Sequence, residues 1–136
     1  MNNTRFATAI HILTLLGAKA NEWLSSDYIA GSININPVMV RKELGVLTKT
    51  GLVITKKGKE GGAKLSKPSE EILLSDIYAA VNHIEILGKR NVNTNIKCPI
   101  GKQINHHLSL LFVEIDEKNR QVLGEKNLSM FIKLFE

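Results

Sequence analysis

Residues 25–65 constrain the fold of this 136-residue chain more than any other stretch. Ser25-Ser26-Asp27-Tyr28-Ile29-Ala30-Gly31 reads as a short helix with its own start and stop signals. Asn36-Pro37 opens a second helix after a few polar residues, with Asn as cap and Pro at the first helical position, where its missing N–H costs nothing. Leu52-Val53-Ile54, the basic turn Lys56-Lys57-Gly58-Lys59-Glu60-Gly61-Gly62 and the return Ala63-Lys64-Leu65 then read as a β-hairpin. This order predicts a helix-turn-helix with a hairpin wing, a shape that places its second helix in a DNA major groove.

In the first helix either Ser25 or Ser26 can cap, and Asp27 suits the positive helix end. Tyr28 and Ile29 supply the buried side, and Gly31 the stop. From Pro37 to Thr50, Val40, Leu44 and Leu47 share one face. Val38, Lys42, Gly45 and Lys49 point roughly the opposite way, with Met39 and Arg41 on the flanks. A short basic outer face directly after a turn suits a recognition helix; the alternative is an ordinary surface helix. In the wing, the glycines let backbone approach a duplex, and the lysines, Lys56, Lys57, Lys59 and Lys64, supply phosphate contacts or reach the minor groove. The turn contains neither G-K-[ST] nor G-x-G-x-x-G, so a nucleotide-binding reading has no motif behind it.

Charge is distributed to match. Residues 1–67 hold ten Lys/Arg against four Asp/Glu, a surplus of six, whereas residues 68–136 hold eight against nine. Clustered cations favour a polyanionic partner, because neutralising phosphates releases counterions. No apolar run nears the roughly 18 residues of a membrane span. The N-terminus lacks a cleavage-site pattern, so the expectation is a cytoplasmic chain that does not contact membrane.

The remaining chain reads as support and pairing surface. Thr4 starts an amphipathic helix with Phe6, Ala9, Ile10, Leu13 and Leu16 at three- and four-residue spacing, ending near Gly17; His11 within it reads as a packed histidine. Pro68 ends the winged unit, giving a division into residues 1–67 and a helical dimerisation or sensor region, 68–136. Ser75-Asp76 opens a helix through about His83. Residues 88–97 read as a loop. Cys98-Pro99 opens a helix of 20 or more residues whose stripe is Ile100, Ile104, Leu108, Leu111, Ile115 and Val122, with Phe112 beside it. So long a stripe on a late helix suits a homodimer, with intrachain packing as the alternative. Leu128 to Phe135 is expected to form a short helix docking back. The fold class is therefore mainly α with a small β-hairpin wing.

Several separated segments together resemble one family. These are Thr4-Arg5-Phe6-Ala7, Asn36-Pro37-Val38-Met39-Val40-Arg41, Gly51-Leu52-Val53, Lys57-Gly58-Lys59-Glu60-Gly61-Gly62 and Leu73-Leu74-Ser75-Asp76-Ile77-Tyr78-Ala79-Ala80-Val81. They are similar to the Rrf-two winged-helix transcriptional regulators, the family of IscR and CymR, and within it to the YwnA-like subgroup, which keeps a Cys-Pro at the start of the long helix. The resemblance spans essentially the whole chain. It implies a homodimer on a partly palindromic operator, usually a repressor. Base-contacting positions of the family fall on Val38 and Arg41, and its basic wing root on Lys57, followed by Gly58. Arg41 can give bidentate bonds to guanine, whereas Val38 offers only apolar contact, for instance to a thymine methyl. Relatives often have tyrosine after the wing glycines, where this chain has Ala63. Asn36, Met39, Lys42, Lys49, Lys59 and Lys64 complete the expected DNA-facing set.

Cluster-binding relatives hold iron through three cysteines spaced six apart, the last at the position of Cys98. The upstream positions are Ile86 and Val92, and the residue three after Cys98, a ligand in some relatives, is Gly101. No cofactor is expected, and in particular no iron–sulfur cluster within one subunit. Cys98, the single cysteine, has a sulfur near a helix N-terminus, where positive partial charge favours thiolate, with Lys97 and Lys102 close by. Two readings stay open: a redox-sensing thiol, or the remnant of a cluster site. His106 and His107 are adjacent on one helix and would need ligands from elsewhere to hold a metal. Sequence-specific transcriptional regulation on double-stranded DNA is the expected function, with an unidentified small-molecule or protein effector. The alternative is an interaction module that binds a metabolic enzyme or another regulator. No nucleophile–base pair or carboxylate dyad suggests an enzyme.

Overall fold

The computed structural model describes residues 4–81 and 87–136. Helix α1 (Arg5–Ala18) is followed by α2 (Ser26–Ile33), α3 (Pro37–Lys49), strands β1 (Val53–Lys56) and β2 (Gly62–Leu65), α4 (Leu74–Ala80), α5 (Pro99–Gly124) and α6 (Leu128–Ile132). The sequence expectation of a mainly helical fold with one small hairpin is met. The expected end of α4 at His83, and Ile86, lie outside the described residues.

Local chemistry explains most boundaries. Ser25 Oγ accepts the Tyr28 N–H at 3.1 Å and caps α2. Asn36 Oδ1 accepts the Val38 N–H at 2.8 Å, with Pro37 next in line. Gly51, at φ +83°, turns the chain out of α3 in a backbone conformation that side chains disfavour. Asp76 Oδ2 accepts the Leu73 N–H at 2.9 Å, which closes the start of α4. Thr4 precedes α1 as expected, but its side chain makes no capping bond.

Two expectations for α2 are corrected. Gly31 does not stop the helix: it lies inside it with open space around it, and Asn34 adopts the left-handed conformation (φ 64°) that ends the element. The helix continues because Ile33 packs against the core, so burial overrides the local stop signal. Tyr28 is 47% exposed rather than buried; Ile29 and Ala30 form the inner side.

One apolar core unites the winged unit with the later helices. Ile12, Leu13 and Leu16 of α1, Ile29 of α2, Val40 and Leu47 of α3, and Val53 and Ala63 of the hairpin join Ile72, Ile77, Val81, Leu128 and Ile132. The C-terminal segment does dock back, on α1. A Cβ at Gly17 would sit 2.4 Å from Ile132 Cδ1, so the glycine permits that approach. The exception is α5, 26 residues long with no buried residue. It is held through α4, where Tyr78 donates to Asp116 Oδ1 at 2.5 Å and Asp116 accepts from Arg120 at 2.8 Å.

Candidate nucleic-acid interface

The outer face of α3 presents the expected residues. Val38, Met39, Arg41, Lys42, Gly45 and Lys49 are all exposed, while Val40, Leu44 and Leu47 are buried. Val38 and Met39 stand side by side at the start of the helix, 58% and 47% exposed. Arg41 Nη1 donates to Ser26 Oγ at 3.2 Å, so the guanidinium rests against the first turn of α2. Asn36 is the α3 cap, its side-chain oxygen engaged in that role.

A buried acid fixes the other side of the same helix. Glu43 is 3% exposed and pairs with Arg5 Nε of α1 at 3.3 Å. Its spacing from Val40 and Leu47 places it on the core face, and an acid there needs a cationic partner. The partner stands 38 residues upstream, beyond the reach of local pattern.

The wing is an antiparallel pair in the register Val53↔Leu65, Ile54↔Lys64, Thr55↔Ala63, Lys56↔Gly62. Gly58, at φ +103°, turns its tip, and Lys57, Gly58 and Lys59 are exposed. A third segment joins the sheet: Leu24 exchanges both backbone hydrogen bonds with Ala63, at 3.1 and 2.8 Å. Gly62 (φ +152°) makes this approach feasible, since a Cβ there would lie 2.4 Å from the Leu24 carbonyl oxygen. Ala63, where relatives often have tyrosine, is completely buried in this seam. Lys64 does not project freely: its Nζ lies 4.9 Å from the Trp23 ring centroid, and Lys56 Nζ 5.7 Å from it. Trp23, Ser25, Tyr28 and Lys59 line a hollow of about 540 Å³ between the wing tip and the start of α2. The sequence pattern gives no place to Trp23; it reads Ser26 as a possible cap, Tyr28 as buried and Lys56 as part of the turn rather than the end of β1. No sequence signal marks Trp23, because its place follows from the pairing of Leu24 with Ala63, 39 residues further on.

At the far end, Cys98 is exposed and caps α5, its sulfur accepting the Gly101 N–H at 3.4 Å. The loop before it is latched to the helix: Asn105 Nδ2 donates to the Asn91 carbonyl at 2.7 Å, and Arg90 donates to Ser109. Asn95 packs so closely over Gly101 that a Cβ at 101 would fall 2.6 Å from its carbonyl oxygen. Iron ligation through one subunit does not fit these residues. Val92 is aliphatic, Gly101 offers no side chain, and its space is taken by the loop backbone. Among the described residues no group of three His, Cys, Asp or Glu could hold a metal ion, His106 and His107 included. Ile100, Ile104, Leu108, Leu111, Ile115 and Val122 fall within roughly 80° of the α5 circumference at 100° per residue. That sector adjoins the one facing α4, and Ile100, Leu111 and Val122 remain 73%, 47% and 53% exposed. Among the described residues no helix is long and apolar enough to cross a membrane.

Comparison with known proteins agrees with this geometry. The YwnA protein of Bacillus subtilis (strain 168), provisionally named an HTH-type transcriptional regulator, is 38% identical over 128 residues, 94% of each chain. A crystal structure provisionally described as a DNA-binding protein superposes with TM-score 0.70 at 34% identity, over 92% of this chain and 96% of the other. The global cysteine regulator CymR of B. subtilis shares the fold at TM-score 0.71 and 19% identity, over 98% and 97% of the two chains. The Rrf2 family model, described as an iron-dependent transcriptional regulator, matches residues 2–134. The chain therefore belongs to the Rrf2 family of transcriptional regulators.

Proposed function

We propose that the protein is a homodimeric, sequence-specific repressor that occupies a partly palindromic operator without an iron–sulfur cluster, in the cytoplasm, and that oxidation of Cys98 modulates its grip on DNA. The observation that carries the DNA reading is the outer face of α3: Val38, Met39, Arg41 and Lys42 stand exposed at its N-terminal end, with Lys57 and Lys59 free at the wing tip. Residues near the start of a recognition helix read base edges, and wing lysines hold phosphates. Arg41 leaves Ser26 to take a guanine edge. The uncovered stripe of α5 supports dimerisation, since a palindrome is read by two recognition helices about one helical turn of DNA apart. Cys98 reports on the start of that same helix, which is why its oxidation is expected to change the spacing of the two helices.

Fluorescence anisotropy with the DNA upstream of the protein's own gene tests the reading, using reduced protein, oxidised protein and thiol-rescued protein. Tight binding that falls or rises reversibly on oxidation, and that does neither in Cys98→Ser, supports a thiol-modulated regulator. An oxidant response in Cys98→Ser equal to wild type discards the thiol. Arg41→Ala should cost about 1–3 kcal/mol on the cognate duplex and far less on a scrambled one, whereas Lys59→Ala should weaken both alike. Equal losses on both duplexes for Arg41→Ala would remove it from base reading. If wild type prefers no duplex at all, a protein partner becomes the better reading.

A further inference from the structure

We propose that Trp23 is a positioning residue for DNA binding, holding the two stem lysines of the wing, Lys56 and Lys64, against its indole face so that the wing meets phosphate as a rigid unit. The inference rests on the DNA reading above and adds to it a residue outside the helix-turn-helix and the hairpin.

Register explains the arrangement. Leu24 pairs with Ala63 in antiparallel sense, so Trp23 falls opposite Lys64 and on the same face of the sheet. Lys64 is opposite Ile54 on β1, and Lys56 is two residues further along that strand, again on the same face. The three side chains therefore converge by construction, with ammonium groups 4.9 and 5.7 Å from the ring centroid. Both distances fall within the range at which an indole face attracts a cation. The indole is half-buried, Lys56 is exposed and Lys64 half-buried, so the ring orders two long side chains without neutralising them. Free lysines lose rotamer freedom when they bind phosphate; two lysines already ordered lose less of it on contact. The other face of the hairpin carries Val53 and Ala63 into the core, so the stem is pinned on both sides.

The test is a coupling measurement in the full chain. Trp23→Leu keeps apolar bulk and removes the π face; it should weaken operator binding roughly fivefold, and Trp23→Phe should recover much of the loss. In a Lys56→Gln/Lys64→Gln background the same Trp23→Leu change should have no further effect. Wild-type affinity in Trp23→Leu, or an equal loss in both backgrounds, overturns the proposal, the second outcome because it marks a purely structural role. Trp23 is the only tryptophan, so its emission reads the clamp in the free protein as well. Lys64→Gln should change the emission spectrum before any DNA is added, and an unchanged spectrum overturns the clamp. That readout stands even if Trp23→Leu fails to fold or wild type binds no duplex, an outcome that would sink the DNA reading alone.

Discussion

Replacing Gly62 by alanine should unseat the wing from the body of the protein. The backbone there sits at φ +152°, and an added methyl would lie 2.4 Å from the Leu24 carbonyl oxygen and 2.6 Å from its carbon. Backbone cannot yield as a flexible side-chain tip can, so the Leu24 segment must move away and both hydrogen bonds to Ala63 go with it. Two such bonds contribute about 2 kcal/mol net. Alanine in a conformation that favours glycine costs about another 1 kcal/mol. For a chain of this size, about 3 kcal/mol lowers Tm by roughly 10 °C. Gly58→Ala is the control: its φ of +103° is also unfavourable for alanine, but nothing lies within 4 Å of the new methyl. It should lose only the conformational part, about 3 °C. Thermal unfolding followed by circular dichroism measures both. Equal Tm values for the two variants would refute the steric argument.

Four further outcomes are expected. Gly31→Ala, in the middle of α2 with open space around it, should raise stability by about 0.5–1 kcal/mol in urea unfolding. Glu43→Ala removes the buried partner of Arg5; because the Arg5 side chain is 28% exposed and can rehydrate, the cost should be about 2 kcal/mol, below that of a fully buried pair. Burial, then the hydrogen bond to Asp116, pushes Tyr78 up to about 12. Its contribution to stability is therefore complete below pH 10 and is lost as pH rises toward 12, so Tyr78→Phe should flatten that alkaline limb in a pH series of melts. Leu111→Glu, on the exposed stripe of α5, tests the proposed homodimer: it should shift sedimentation toward monomer and weaken operator binding, and a dimer that persists would refute an interface on this stripe.

Where the sequence was legible, short-range chemistry was decisive. Asn36-Pro37 and Cys98-Pro99 mark helix starts because each pairs a cap with a residue that needs no donor, and both α3 and α5 begin there. The outward set of α3 followed from 3.6-residue spacing alone. The misses share a different cause. Gly31 reads as the stop of α2, but the packing of Ile33 carries the helix past it to Asn34. Tyr28 was assigned inward on hydropathy, but Ile29 and Ala30 face the core and leave its ring outside, where Lys19 Nζ sits 5.8 Å from its centroid. Trp23 and Glu43 depend on partners about 40 residues away in sequence, Lys64 and Arg5. Periodicity can place each on a face but cannot say what stands opposite.

The way α5 is attached bears on how a change at Cys98 would travel. Helix α5 contributes no fully buried residue; Leu123, near its C-terminal end, packs half-buried against the common core. The helix's polar tie runs to Tyr78 of α4, which touches α5 and α1 at once. The phenol binds Asp116, the ring lies 5.1 Å from the Arg120 guanidinium, and the same ring meets Phe6 of α1 edge-on at 5.5 Å. Arg5, adjacent to Phe6, holds Glu43 on the inner face of α3. A continuous set of contacts thus runs from the long helix through Tyr78 of α4 and through α1 to α3. Close-packed interiors pass on displacement because they cannot absorb it. A rotation of α5 would therefore press on Tyr78, and the inner side of α3 is anchored to the same path.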